Sequence, residues 1–390
     1  MLAEDISANP PGSRRVYNCP LIPLNDFGRH WEETRDDALA AFDAVGSSGW
    51  YILGTEVASF EERLAAQWGA RYAVGVASGL DALEISLKSL GCGPGDRVLT
   101  TPLSAFASTL AILKLGAVPV FVDTDEFGLL DLDACRSLLR ARPDIRFLLP
   151  VHLYGHALDL GKLRALGDEC GCGIVEDCAQ SIGASHKGAP TGSVGRMAAT
   201  SFYPTKNLGA LGDGGAILTN DEYLARTARV LRDYGQSSKY CHELVGYNSR
   251  LDELQAALLR RVFLPRLAGW LAKRRRAAEL YVDGLRHPAL RVMGAPVDSA
   301  SCWHLFPVQV DPHRKADFLA WLQSRGVGCG EHYPRALPDQ PAMSGVKFES
   351  AGLLETARRI CASEVSLPIH AYLRDDEIAQ VIDACNAWPG

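Results

Sequence analysis

Residues 72–122 read YAVGVASGLDALEISLKSLGCGPGDRVLTTPLSAFASTLAILKLGAVPVFV. Three short apolar runs, at 72–76, 97–101 and 118–122, are separated by helical patterns at 81–90 and 104–115. A turn rich in Gly and Pro fills 91–96. The runs are continuously apolar rather than alternating, as strands are when a parallel sheet is covered on both faces. The same unit recurs downstream, with helices expected at 132–140 and near 158–170 and strands at 145–151, 173–176 and 216–219. Repeated strand–helix units predict a doubly wound α/β domain. Upstream, Trp31, Ala38, Leu39, Phe42 and Val45 form one helical stripe, and Val57, Phe60, Leu64 and Trp68 a second. After Leu251 the chain turns helical, and a smaller α/β module follows with a strand at 303–310. The expected division is a loose tail at 1–15, a large domain at 16–264 and a small C-terminal domain at 265–390.

Composition narrows the class. The 390 residues are 47% hydrophobic and 22% charged, ordinary globular values. A net charge of −6 argues against a nucleic-acid binder. The densest basic run, Lys273-Arg274-Arg275-Arg276, reads as a solvated helix face. The eleven cysteines show no zinc-type spacing, and several lie in apolar runs. No secretory signal and no apolar run of membrane-spanning length is found, so a cytoplasmic protein with no membrane partner and no metal is expected.

Chemistry concentrates in two stretches. One is Val175-Glu176-Asp177-Cys178-Ala179-Gln180; the other, at 201–215, is SFYPTKNLGALGDGG, with Lys206 at its sixth position. A lysine amine can form a Schiff base with an aldehyde, and an aspartate can keep a pyridine nitrogen protonated. A protein must supply both to run pyridoxal 5′-phosphate as an electron sink. Asp177 lies just past a strand, where ligands bind in such sheets. It reads also as a helix cap, and a lone lysine is ordinarily solvated. Gln180 is placed to reach a ring hydroxyl. Ser78-Gly79-Leu80-Asp81 opens a helix and makes either an anion site or a plain capped turn. Phe106 is a stacking aromatic or a core residue. Ser201 offers a hydroxyl to a phosphate. Asn248 is a helix-start residue or a phosphate ligand. The glycines at 209, 212, 214 and 215 match neither a Walker loop nor a dinucleotide fingerprint, which counts against a nicotinamide dehydrogenase.

Taken together, these segments resemble the DegT/DnrJ/EryC1/StrS family of pyridoxal phosphate-dependent sugar aminotransferases. The matching segments are GWYILG at 49–54, SGLDAL at 78–83, EDCAQ at 176–180, SFYPTKN at 201–207, NSRLDE at 248–253, His332-Tyr333-Pro334 and Ser366-Leu367-Pro368. The resemblance runs from about Pro20 to the C terminus. It implies the aspartate-aminotransferase (type I) fold, a mainly parallel seven-stranded-type sheet flanked by helices with a smaller C-terminal α/β domain. It implies that Lys206 is the Schiff-base lysine, that Asp177 faces the pyridine nitrogen and Gln180 the ring oxygen, and that Phe106 stacks on the ring. The Gly79 and Leu80 amides and the Ser201 hydroxyl would hold the phosphate; many members have Thr where Leu80 stands. Asn248 would reach the phosphate of a neighbouring subunit, giving a homodimer with shared active sites. Arg250, His332 and Tyr333 are implied substrate contacts. The implied reaction moves an amino group from L-glutamate to a nucleotide-linked keto sugar, in the subgroup resembled to C3 of a dTDP-3-keto-6-deoxyhexose. A C4 keto sugar or an aminocyclitol precursor are the alternatives, and a non-catalytic regulatory protein that binds the cofactor is one of another class.

Overall fold

The computed structural model describes residues 22–390; the tail expected at 1–15 lies outside them. Its main sheet begins with β1 (Tyr72–Val76), β2 (Arg97–Thr100), β3 (Val118–Val122), β4 (Ile145–Leu149), β5 (Gly173–Asp177), β6 (Met197–Ser201) and β7 (Gly215–Thr219). Their order across the sheet is β1-β7-β6-β5-β4-β2-β3. Only β7 runs against its neighbours, pairing antiparallel with β1 and β6; the pairs from β6 through β3 are parallel.

The helices that accompany these strands are α1 (Phe27–Ser48), α2 (Thr55–Trp68), α3 (Gly79–Ser89), α4 (Phe106–Lys114), α5 (Leu132–Ala141), α6 (Leu160–Cys170), α7 (Glu222–Arg232) and α8 (Glu253–Leu258). Side chains alternate across a strand, and the core follows that rule. Val74, Val98, Phe147, Val175, Met197 and Ile217 pack on one face with Leu83 of α3, Ile112 of α4 and Leu231 of α7. Their neighbours Leu99, Leu148 and Ile174 face the other side, against Leu139 of α5 and Leu163 of α6. Ala73, Ala198 and Leu218 meet Phe60 and Leu64 of α2 and Leu258 of α8 on that side. Caps mark where the helices begin: the side chains of Ser78, Asp131 and Asp159 accept backbone N–H groups at the starts of α3, α5 and α6.

Helix α2 is capped from a distance. Gly54 has no side chain to offer, and the Glu253 carboxylate instead accepts the N–H groups of Gly54, Glu56 and Val57 at 2.8–2.9 Å. Glu253 is buried, so losing it strands three donors. Glu253→Ala is expected to destabilise the fold by about 3 kcal/mol in urea denaturation; a loss under about 0.5 kcal/mol would show that water replaces the carboxylate.

The C-terminal part carries α9 (Leu267–Gly284), β8 (Arg291–Val292), β9 (Phe306–Gln309), α10 (Lys315–Ser324), β10 (Glu349–Ala351), α11 (Glu355–Ser363), β11 (Glu364–Leu367) and α12 (Asp375–Asn386). Strands β8, β9 and β11 form a small antiparallel sheet. Phe306, Val308, Val365 and Leu367 pack against Tyr281, Phe318 and Val381, and Ile22 joins them from the start of the described chain.

The expected, mainly parallel sheet is present, and among the described residues it carries one further strand: β10 adds in parallel to the β3 edge. That three-residue strand is polar and held by its side chains, with Glu349 accepting from Arg97 at 2.8 Å and from Arg142 at 3.1 Å, so no apolar run announces it. The basic run at 273–276 is a solvated face only in part: Lys273 and Arg276 are exposed, but Arg274 is not. Arg274 is buried and donates to the carbonyls of Trp303, His304 and Ile369, tying α9 to the segments around β9 and β11. In α1, Leu39 is exposed, and Ala38, Ala41 and Val45 line the buried stripe.

Candidate active site

The parallel strands end on one side of the sheet, and the loops that follow them converge there. Asp177 is the last residue of β5 and is buried. Its carboxylate accepts the Ser108 hydroxyl at 2.9 Å and the Ala179 N–H at 3.1 Å. Burial pushes this carboxyl up from the usual range, opposed by those two bonds and by the charge of Lys206.

Lys206 lies in the tight turn after β6, where its N–H donates to the Tyr203 carbonyl at 2.8 Å. It sits deep in the protein while keeping part of its surface open. Burial lowers the amine to about 8, and Asp177 is the charge that opposes this. The two side chains expected to work together thus act on each other within one site. Each is pushed by burial toward its neutral form.

Gly79 opens α3 against the end of β6. A Cβ on Gly79 would stand 2.6 Å from the Ser201 Cβ, and one on Gly215 would stand 2.4 Å from the Ser78 carbonyl carbon. Two glycines therefore let β6, β7 and the α3 N terminus close into one cradle. Leu80 follows, half-buried against the α3 side of the core. Ser201 Oγ accepts only the Tyr203 N–H, at 3.2 Å, among the described residues.

Gln180 is buried beside Asp177. Its Oε1 accepts the Tyr154 N–H at 2.7 Å, and its Nε2 donates to the Tyr333 hydroxyl at 3.2 Å. Because that hydroxyl accepts from Gln180, its own proton is free for another partner. Burial and the nearby Asp177 charge push the Tyr333 phenol up. His332 feels the Lys206 charge, which together with burial lowers its imidazole to about 4. Phe106, the first residue of α4, is half-buried and packs toward Phe121, Leu337 and Leu354; both sequence readings of it stand.

Two expected residues lie elsewhere. Asn248 and Arg250 line a separate cleft of about 370 Å³ with Ile52, Ala77, Asp213, Asp252 and Gln255. Asn248 is exposed. Arg250 is paired with Asp233 at 3.0 Å.

The structure adds residues that the sequence did not point to. Ser108 holds Asp177. His304 is buried next to Lys206 with its Nδ1 3.3 Å from Asn207 Oδ1, and burial with the Lys206 and Arg274 charges keeps it neutral. Asn207 was visible as part of the SFYPTKN run; His304 carried no signal of its own. Glu176 turns to the other face of β5, where its oxygens accept the N–H groups of Gly192, Val194 and Gly195 and meet His152 Nε2 at 2.8 Å. His152 Nδ1 accepts from Leu158, so this buried pair with Cys178 nearby is saturated by hydrogen bonds and serves the fold.

Comparison with known proteins identifies the family. Residues 32–386 match the DegT/DnrJ/EryC1/StrS aminotransferase family. The chain is 42% identical to the dTDP-3-amino-3,4,6-trideoxy-alpha-D-glucose transaminase of Streptomyces venezuelae, over 95% of this chain and 96% of that one. It is 36% identical to a pleiotropic regulatory protein of Geobacillus stearothermophilus, over 93% and 97%. The crystal structure of S. venezuelae DesV in complex with a ketimine intermediate superposes with a TM-score of 0.90 at 41% identity, covering 95% of this chain and 98% of that one. The chain belongs to the DegT/DnrJ/EryC1/StrS aminotransferase family.

Proposed function

We propose that this protein is a pyridoxal 5′-phosphate-dependent aminotransferase that moves an amino group from L-glutamate to a nucleotide-linked keto sugar, at C3 of a dTDP-3-keto-6-deoxyhexose. The observation that carries the reading is the coupled pair of Lys206 and Asp177 at the strand ends.

The residues present fit the cofactor. Asp177 is a buried carboxylate that receives two neutral hydrogen bonds and one cationic neighbour, Lys206. A cationic ring N–H set against it would offset the cost of its burial. The α3 N terminus offers the Gly79 and Leu80 N–H groups beside the Ser201 hydroxyl, a setting for a dianion. Gly79→Ala is expected to weaken pyridoxal phosphate binding about tenfold or more in a fluorescence titration, because its methyl group would push β6 away. Unchanged affinity would place the phosphate elsewhere.

When bound, the cofactor supplies an electron sink for the charge left as a Cα proton departs. Lys206 Nζ is the group that takes that proton and hands it on. With its amine at about 8, a useful fraction is unprotonated near neutral pH, and it is still basic enough to hold a proton. Burial raises the Asp177 carboxyl, a cation facing it favours its anion, and Ser108 and the Ala179 N–H fix its plane. Gln180 and Tyr333 orient one edge of the site, and Tyr333 keeps a proton to donate. Phe106 at the start of α4 is the residue that would stack on the cofactor ring, as the family resemblance implies.

Asn248 and Arg250 sit outside this site in their own protomer. Trp50, Tyr51 and Ile52 are exposed, and Ile52 lines the same cleft. An apolar surface beside polar residues that line a cleft not including Lys206 supports a homodimer in which this cleft serves the partner's site. His332 and Tyr333 stand on the Lys206 side as substrate contacts. The name of the S. venezuelae relative supports a dTDP sugar aminated at C3. The intact Lys206 and Asp177 favour turnover over a regulatory role.

The test is a panel of C3 and C4 keto nucleotide sugars and aminocyclitol precursors with glutamate, the aminated product read by mass spectrometry. Amination of the C3 keto dTDP sugar ahead of the others is expected. Preference for a C4 ketone would overturn the carbon assigned, and no conversion of the cofactor by glutamate would overturn the donor.

A further inference from the structure

We propose that Glu364 is a positioning residue: through Ser366 it fixes the tautomer of His332, so that His332 Nε2 meets the substrate as a hydrogen-bond acceptor. This rests on the aminotransferase reading above.

Glu364 and Ser366 are two apart on β11 and so share a face of the strand. Both are fully buried. Glu364 Oε2 accepts the His332 N–H at 2.6 Å, and Oε1 accepts the Ser366 hydroxyl. A serine has one proton to donate, and here it goes to the carboxylate. Ser366 Oγ lies 2.9 Å from His332 Nδ1 and is left to accept there. Nδ1 therefore carries the imidazole proton. The ring is neutral, because burial and the Lys206 charge both disfavour its cation. Its Nε2 is then a bare lone pair, with no hydrogen-bond partner among the described residues.

The segment bearing His332 is fixed from the other side as well. The Tyr154 hydroxyl donates to the His332 carbonyl at 2.7 Å, and Gln180 joins the Tyr154 N–H to the Tyr333 hydroxyl. Gly330 leaves space behind the ring: a Cβ there would stand 3.1 Å from His332 Cε1. The imidazole has a set position, and the state of Glu364 decides what it offers.

Burial raises the Glu364 carboxyl to about 7. The groups facing it are Lys315 from α10, Glu331, His332 and Cys329 from the segment before Tyr333, Cys361 from α11, Ser366 on its own strand, and the Tyr154 and Tyr333 phenols. Lys315 is engaged by Glu331 and by the Cys361 carbonyl. When a solvent proton settles on Glu364, its O–H donates to Ser366, and the Ser366 hydroxyl turns to donate to Nδ1. The imidazole proton then resides on Nε2, which becomes a donor. The acceptor form holds above about pH 7 and is lost below it.

Glu364→Gln separates this role from simple support. Its amide oxygen must face the His332 N–H, so its NH₂ faces Ser366 and forces the Nε2–H tautomer at every pH. The measurement is ¹⁵N NMR of the His332 ring at pH 8 in cofactor-free protein, with kcat/KM for keto sugar and for glutamate followed from pH 6 to 9. Wild type is expected to be Nδ1–H and the variant Nε2–H. The variant should lose about tenfold or more in kcat/KM for the keto sugar relative to glutamate, without the wild-type fall below pH 7. Glu364→Asp should restore part of both signals. If Glu364→Gln does not fold, Ser366→Ala must give a mixed tautomer. The same tautomer in wild type and variants, or superimposable pH profiles, would overturn the proposal. The ring shifts need no turnover, so a wild type that aminates no keto sugar would sink the functional reading and leave the tautomer result standing.

Discussion

Lys206→Met is expected to lower amino transfer by at least about 10⁴-fold while leaving the cofactor-free protein no less stable than wild type. The first effect follows from the role of the amine. Among the described residues no other lysine acts on Asp177, and the nearby imidazoles, His304 and His332, are held neutral by burial and too weakly basic to replace it. The second effect follows from linkage. The folded amine titrates near 8, below its ordinary 10.5. Between those values the unfolded chain holds more protons, so stability rises as pH rises through that window and is reduced throughout the range below it. That reduction is on the order of 2–3 kcal/mol near pH 7, less a part for the edge of Lys206 that solvent still reaches. Methionine keeps the volume and removes the charge. Steady-state assays and urea denaturation at pH 7 and pH 10 check both halves. The stability gain should shrink at pH 10. A variant that still transaminates within a hundredfold of wild type would move the chemistry to another group.

Asp177→Asn is the second large effect, with turnover expected to fall about 10²- to 10³-fold. The amide can keep both present contacts, its oxygen toward the Ala179 N–H and its NH₂ toward Ser108. What it loses is the anion. A ring nitrogen set against a neutral amide is not held protonated, so the electron sink is shallower when the Cα proton leaves. Lys206 changes too, because Asp177 is the charge that raises its amine. Its pH–rate profile should shift to lower pH. The folded carboxyl titrates above its ordinary value. The native state therefore binds this proton more readily, and stability falls as pH rises through that raised value. Removing the carboxylate relieves this, so the cofactor-free variant should melt no lower than wild type. Loss of activity with an unchanged melting point separates chemistry from folding. Activity within threefold of wild type would show that Asp177 only caps its turn.

The fold was legible where a strand is an apolar run and a helix carries a capped stripe, as from Tyr72 to Asp177. It was not legible at Glu349–Ala351, where a strand is three polar residues held by two arginines. Arg274 was misread for a related reason. Charge patterning treats a basic run as solvated, but this guanidinium finds three carbonyls that only the fold assembles. Within the site, Lys206, Asp177, Gln180, Gly79 and Ser201 announced themselves by sitting in dense motifs at strand ends. Ser108 is one small hydroxyl on an otherwise apolar helix face. Glu364 is a buried carboxylate, which sequence patterns assign to the surface. Its partners are 32 residues away at His332, and Tyr154 is 178 residues from His332. Such networks close only when distant segments meet.

The central claim is that Lys206 is the amine that binds the cofactor covalently. Reduction of the cofactor-loaded protein with borohydride, then digestion and mass spectrometry, tests it most directly. A single pyridoxyl group on Lys206 is the predicted result, lost on prior incubation with glutamate as the cofactor leaves in its amine form. Label on a different lysine, in protein that still transfers amino groups, would contradict it.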